Sequence, residues 1–123
     1  MKIEKILIAE DEEHFVNSLS RKLTKLGYIV ESAADGEMGL EKALSFSPDL
    51  ILLDVKMPKI NGIKLCKRLR ADRRTKKIYI IMLSALTQPQ DVEKGLEAGA
   101  DEYMYKPLIF PDLVEILNRL NDT

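Results

Sequence analysis

A chain of 123 residues, with 46% hydrophobic and 32% charged side chains, is long enough for one domain with its own core. It is too evenly composed for a disordered, collagenous or coiled-coil protein. Its 19 basic and 20 acidic residues argue against a general nucleic-acid coat or an acidic tail, and one cysteine with one histidine rules out an internal disulfide and a Cys/His zinc site.

The chain opens MKIEKILIAEDEE, whose apolar run is too short for a signal peptide. No later run reaches the length of a membrane span. A cytoplasmic protein without membrane insertion is expected. Ile6 to Ala9 reads as a first strand. Phe15, Leu19, Leu23 and Leu26 then step at helical spacing, with Gly27 placed as the C-cap glycine. Tyr28 to Val30 is a second strand, and Leu40, Ala43 and Leu44 mark a short helix. Leu50 to Leu53 is a third strand. Asn61 caps the next helix, with Ile63, Cys66 and Leu69 on one stripe. Ile78 to Leu83 is a fourth strand, and Thr87 to Gln90 reads as a capping box for a helix ending near Gly99. Tyr103-Met104 is the last strand. Pro111 opens the last helix, with Leu113, Leu117 and Leu120 on its inner face.

Three of these strand runs are continuously apolar, as in strands buried on both faces. Five strands alternating with five helices predict one α/β domain over residues 1–123, a doubly wound parallel sheet with right-handed crossovers. No output domain is expected after the fifth helix.

The strands end in polar residues: Glu10 and Asp11 after the first, Asp54 after the third, Ser84 after the fourth and Lys106 after the fifth. In a parallel sheet these ends share one edge, where ligands bind. Three carboxylates there repel one another and call for a counter-charge, which a hard divalent cation such as magnesium supplies. Cation, ammonium and hydroxyl together suit a phosphoryl group in transfer, with Asp54 as nucleophile. A P-loop and a GxGxxG turn are both absent, and Glu10 to Glu13 would repel a pyrophosphate. Cys66 reads as a small buried hydrophobe and His14 as a solvated helix residue. The eight basic residues from Lys64 to Lys77 read as the outer face of the third helix and its loop, facing a protein partner.

ILIAEDEE, LILLDVKMPKINGIKL, IIMLSA and GLEAGADEYMYKP together resemble the receiver domain of two-component response regulators, the chemotaxis regulator's type, over essentially the whole chain. The resemblance implies a flavodoxin-like strand order 2-1-3-4-5. It implies that Asp54 accepts a phosphoryl group from a sensor histidine kinase, a histidine phosphotransfer protein or a small donor such as acetyl phosphate. Magnesium, with manganese as a substitute, would be held by Glu10, Asp11, Asp54 and the backbone carbonyl of Lys56, Glu10 acting largely through water. Lys106 would pair with the phosphate, ahead of a cis bond to Pro107, and Ser84 would donate its hydroxyl. Ser84 and Tyr103 would form the switch pair, read by a downstream protein target on the face of the fourth helix, fifth strand and fifth helix. Direct nucleic-acid contact is not expected; a phosphorylation-dependent dimer fits, and catalysis is confined to the domain's own phosphorylation and dephosphorylation. Lys56 and Leu86 would set the lifetime of the phosphate. A receiver cut from a longer transcription regulator, a phosphorelay intermediate and a small phosphatase stay open as alternatives.

Overall fold

The computed structural model describes residues 1–122. Strand and helix alternate in the order β1 (Lys5–Ala9), α1 (Glu13–Lys25), β2 (Ile29–Ala33), α2 (Gly36–Ser45), β3 (Leu50–Asp54), α3 (Gly62–Ala71), β4 (Tyr79–Ser84), α4 (Pro89–Glu97), β5 (Glu102–Tyr105) and α5 (Phe110–Asn121). The strands are parallel and lie in the order β2-β1-β3-β4-β5, the doubly wound sheet expected. No helix among the described residues is long and apolar enough to cross a membrane.

Successive residues of a strand point to opposite faces, so the sheet builds two cores. Ile6, Ile8, Leu50, Leu52 and Ile81 pack with Val16, Leu19 and Leu23 of α1 and with Leu113 and Leu117 of α5. Leu7, Ala9, Ile51, Leu53, Ile80 and Met82 pack with Ala43 of α2, with Leu65, Cys66 and Leu69 of α3, and with Ala98 after α4. The three continuous apolar runs are the central strands β1, β3 and β4. The edge strands bury less. In β2, Ile29 is exposed and Val30 half-buried, because an edge strand has a neighbour on one side only.

Two helix readings shift. Leu26 is 52% exposed rather than part of the inner stripe of α1. The helix stops at Lys25, Gly27 turns the chain at φ 99, and Val16 takes the inner place. The capping box of α4 lies one residue later than Thr87 to Gln90: the Gln88 amide donates to the Asp91 carboxylate at 3.2 Å. Pro89 decides this register, since proline fits the first helical position and so makes its predecessor the cap. Asn61 caps α3 as expected, its side chain accepting from Lys64 N at 2.9 Å.

Candidate functional site

The chain leaves β1 toward β2 on one side and later enters β3 on the other, so the strand order reverses between β1 and β3. Such a reversal opens a crevice at the carboxyl ends. Register then aligns the polar residues. Ala9 pairs with Leu53, so Glu10 stands beside Asp54. Asp54 pairs with Leu83, ahead of Ser84. Ser84 pairs with Tyr105, ahead of Lys106. A row of Glu10, Asp54, Ser84 and Lys106 follows from strand pairing alone.

Glu10, Asp11 and Asp54 each bring a carboxylate oxygen within 4.8 Å of the others. Glu10 is 3% exposed and Asp54 5%, while Asp11 is open to solvent. Lys106 lies between the two buried acids. Its Nζ donates to Glu10 Oε1 at 2.5 Å and to Asp54 Oδ2 at 3.2 Å. Burial pulls the Lys106 ammonium down, but its hydrogen bonds to the two carboxylates and their charge outweigh this, so its pKa lies above the ordinary lysine value. The second Glu10 oxygen accepts the amides of Asp11 at 2.8 Å and Glu12 at 3.2 Å. The second Asp54 oxygen accepts the Lys56 amide at 3.2 Å.

A lone buried carboxylate carries a desolvation cost of several kcal/mol on the order of magnitude of a lost ion pair. One ammonium against three acids leaves negative charge, and the donors are all hard oxygens. That set suits magnesium or a similar divalent cation, with Asp11 on the open side.

The loop after β3 is drawn in close. The Gly62 amide donates to the Val55 carbonyl at 2.9 Å, and a Cβ on Gly62 would lie 2.3 Å from the Asp54 carbonyl oxygen. Any side chain there would push the loop off Asp54. Ser84 is buried, and its Oγ accepts the Leu86 amide at 2.9 Å, which leaves the hydroxyl proton for another acceptor. Tyr103 is half-buried and donates from its hydroxyl to the Leu86 carbonyl at 2.8 Å. Its ring meets Tyr105 edge-on at 5.9 Å. The Lys106-Pro107 bond is cis.

The structure thus brings together Glu10, Asp11, Asp54, Ser84 and Lys106, adds the Lys56 amide to Asp54, and sets Tyr103 one residue from Ser84 through Leu86. Two features escaped the sequence. Gly95 abuts the Tyr103 ring, and Phe15 faces Lys106, its ring centroid 6.0 Å from Nζ. Phe15 packs against the core as its helical spacing predicts, and its half-buried ring also reaches the sheet edge.

Residues 6–118 match the family model described as the response regulator receiver domain. The chain is 42% identical over 116 residues to the DNA-binding dual master transcriptional regulator RpaA of Synechocystis, covering 94% of this chain and 47% of that protein. It is 48% identical over 103 residues to the alkaline phosphatase synthesis transcriptional regulatory protein PhoP of Bacillus subtilis, covering 84% and 42%. The chain therefore spans about half the length of these relatives. The chemotaxis protein CheY4 of Vibrio cholerae superposes with a TM-score of 0.88 at 33% identity, over 95% of this chain and 98% of that one. A response regulator of Chloroflexus aurantiacus does so at 0.90 and 34%, over 99% and 100%. Sheet order, acidic cluster and relatives agree, and the chain belongs to the response regulator receiver domain family.

Proposed function

We propose that residues 1–123 form one receiver unit, a switch in which Asp54 takes a phosphoryl group from a sensor histidine kinase or a histidine phosphotransfer protein. One observation carries this reading: a buried carboxylate, Asp54, clustered with two further acids and 3.2 Å from the Lys106 ammonium. An Asp54 oxygen forms the new bond to phosphorus as the donor's bond to phosphorus breaks, and its electron pair leaves with the donor. A carboxylate needs no proton removed first. Lys106 neutralises a phosphoryl oxygen, and the free Ser84 hydroxyl proton is available to another. Magnesium, or manganese in its place, would be held by Glu10, Asp11, Asp54 and the Lys56 carbonyl, and when bound it neutralises carboxylate and phosphoryl charge.

The phosphorylated unit signals by contact with a downstream protein in the cytoplasm or with a second copy of itself, through a shift between existing conformations. It does not touch nucleic acid directly and turns over no separate metabolite. A second reading is favoured by the relatives. RpaA is named as DNA-binding and is about twice as long as this chain, which supports a receiver that works joined to an output module. The length of the source reading frame decides between them.

The test is intact mass after incubation with acetyl phosphate and magnesium. One phosphoryl adduct is expected, lost when chelator is added first and absent in Asp54→Asn. An adduct that persists in Asp54→Asn would place the acceptor elsewhere.

A further inference from the structure

Beside the acidic cluster lies a second hollow. It is a cleft of about 490 Å³ between the first turn of α1 and the chain joining β5 to α5, lined by Glu10, Glu12, Phe15, Lys106, Pro107 and Leu108. We infer that this cleft is a subsite for the apolar acyl group of a small acyl phosphate, so that aromatic or branched acyl phosphates donate to Asp54 in preference to acetyl phosphate. The inference rests on Asp54 being the acceptor.

Continuity with the acceptor is the first argument. Lys106 is a wall of both hollows, its Nζ 3.2 Å from Asp54 Oδ2 and 6.0 Å from the Phe15 ring centroid. Glu10 is shared in the same way. A donor whose phosphoryl oxygens meet Lys106 therefore has Phe15 within one ring's width. Asp54 approaches phosphorus from inside the sheet edge, so the leaving group points toward the mouth, and the cleft is the apolar surface beside that mouth.

Lining and rigidity are the second argument. Phe15 and Leu108 are only half-buried and Pro107 is exposed, whereas the neighbouring core residues Leu19 and Leu113 are buried. Both acids on the rim are already engaged, Glu10 with Lys106 and the amides of Asp11 and Glu12. Glu12 accepts the amides of His14 at 3.2 Å and Phe15 at 2.6 Å, which fixes the turn that carries the ring. The cleft thus offers the apolar walls Phe15, Pro107 and Leu108 beside Lys106, and a divalent cation on the acidic cluster would offset the charge of Glu10 so that an apolar group bearing an anionic phosphate is matched at both ends.

The step balances without a further reactant. A carboxylate oxygen of Asp54 bonds to phosphorus, the bond from phosphorus to the acyl oxygen breaks, and its electron pair departs as the carboxylate of the acid. No proton moves and nothing is oxidised.

The experiment measures second-order rates of adduct formation by intact mass, with magnesium, for acetyl phosphate and benzoyl phosphate. Partial burial of a phenyl ring in place of a methyl group predicts a benzoyl to acetyl rate ratio about tenfold above the donors' intrinsic ratio. Because the two leaving groups differ in intrinsic reactivity, the ratio is compared among wild type, Phe15→Ala, which opens the cleft, and Leu108→Trp, which fills it. The ratio falls about tenfold in both, toward the donors' intrinsic ratio. A thermal melt of each variant confirms that it is folded, and a merely structural role would slow both donors alike and leave the ratio in place. In parallel, phenylphosphonate, which cannot transfer its phosphoryl group to Asp54 as an acyl phosphate does, shifts the amide resonances of Phe15 and Leu108 more than methylphosphonate does. A ratio unchanged in both variants overturns the inference and leaves the cleft to a side chain of a protein donor. Adduct from acetyl phosphate, with a wild-type benzoyl to acetyl ratio no higher than the two donors show toward a free carboxylate, overturns it alone. No adduct on Asp54 from either donor removes the acceptor reading as well.

Discussion

Ser84 and Tyr103 hold opposite sides of the same residue. The Leu86 amide donates to Ser84 Oγ at 2.9 Å, and the Leu86 carbonyl accepts from the Tyr103 hydroxyl at 2.8 Å. Leu86 lies in the loop between β4 and α4, so the ends of two neighbouring strands fasten that loop at one point. An acceptor that draws the free Ser84 proton turns the hydroxyl, and Leu86 is the first group to feel it. If Ser84 and Tyr103 act as the proposed switch pair, these two hydrogen bonds join them through Leu86.

Gly95 is what lets Tyr103 reach that position. A Cβ there would lie 2.9 Å from Tyr103 Cδ2 and 3.1 Å from Met82 Sδ. Gly95→Ala should displace the ring and break its bond to Leu86, at a cost of about 1 kcal/mol. Alanine gains about 1 kcal/mol over glycine within a helix, so the melting temperature should hardly move. The signature is a changed set of Tyr103 ring resonances at near-constant stability. Unchanged ring resonances would mean that the α4 backbone takes up the methyl group instead.

If Asp54 is the proposed acceptor, the lifetime of its acyl phosphate should depend on the residues at the mouth. Leu86 is half-buried, its amide and carbonyl both engaged, and it offers water no polar side chain. The Lys56 amide donates to Asp54, and the Lys56 side chain is exposed. Lys56→Asn and Leu86→Glu, which supply groups able to orient water, should shorten the half-life several-fold. The check is adduct mass against time after the donor is removed, and decay as slow as wild type in both variants contradicts the argument.

The site was largely legible because strand pairing generates it. Once the apolar runs are placed in a parallel sheet, Glu10, Asp54, Ser84 and Lys106 share an edge whatever the helices do. The edge strand β2 reads as Tyr28 to Val30 but spans Ile29–Ala33, because Tyr28 is apolar without being in the strand and the polar Glu31 and Ser32 hide its continuation. Arg70 was the larger miss. It reads as one more charge on the outer face of α3, yet its partners lie across the chain at Gly99 and Asp101. No helical spacing connects residues 29 and 31 positions apart, so a clip made by tertiary contact left no trace in the local pattern. The convergence of Glu10 and Lys106 follows from the sheet edge, but their direct ion pair across 96 positions does not, since a shared edge does not say which charges touch.

Arg70 should matter to stability. Its guanidinium donates to the carbonyls of Gly99 at 2.8 Å, Lys76 at 2.7 Å and Ile78 at 2.6 Å, and to Asp101 Oδ2 at 2.7 Å. Asp101 in turn accepts the Ile80 amide at 2.8 Å. The clip ties the ends of α3 and α4 to the start of β4. Arg70→Met keeps the stem and removes every donor, which should cost about 2–3 kcal/mol because hydrogen bonds from a charged group are worth more than neutral ones. Urea unfolding reports this as a lower midpoint at constant slope. A loss under about 0.5 kcal/mol, as for an exposed ion pair, would show that the bonds are replaced by water at no cost.

Cys66 is fully buried in α3, its thiol against the Ala98 carbonyl at 3.4 Å. Burial pushes the thiol up from its ordinary 9.0 to about 11, with the Arg70 charge opposing and Asp101 adding to it. The folded protein therefore binds a proton that the unfolded chain has lost across that window. The thiol's contribution to stability is complete below pH 9 and disappears as the pH rises to about 11. Wild type should lose on the order of 2 kcal/mol more than Cys66→Ala over this range, a difference that cancels the tyrosines and lysines titrating beside it. Alkylation gives a second check. At pH 8 iodoacetamide should modify the urea-unfolded chain at least about a hundredfold faster than the native one, since only the thiolate reacts and the native thiol is both protonated and covered. Comparable rates would mean that α3 and the end of α4 part readily, and that burial does not govern this thiol.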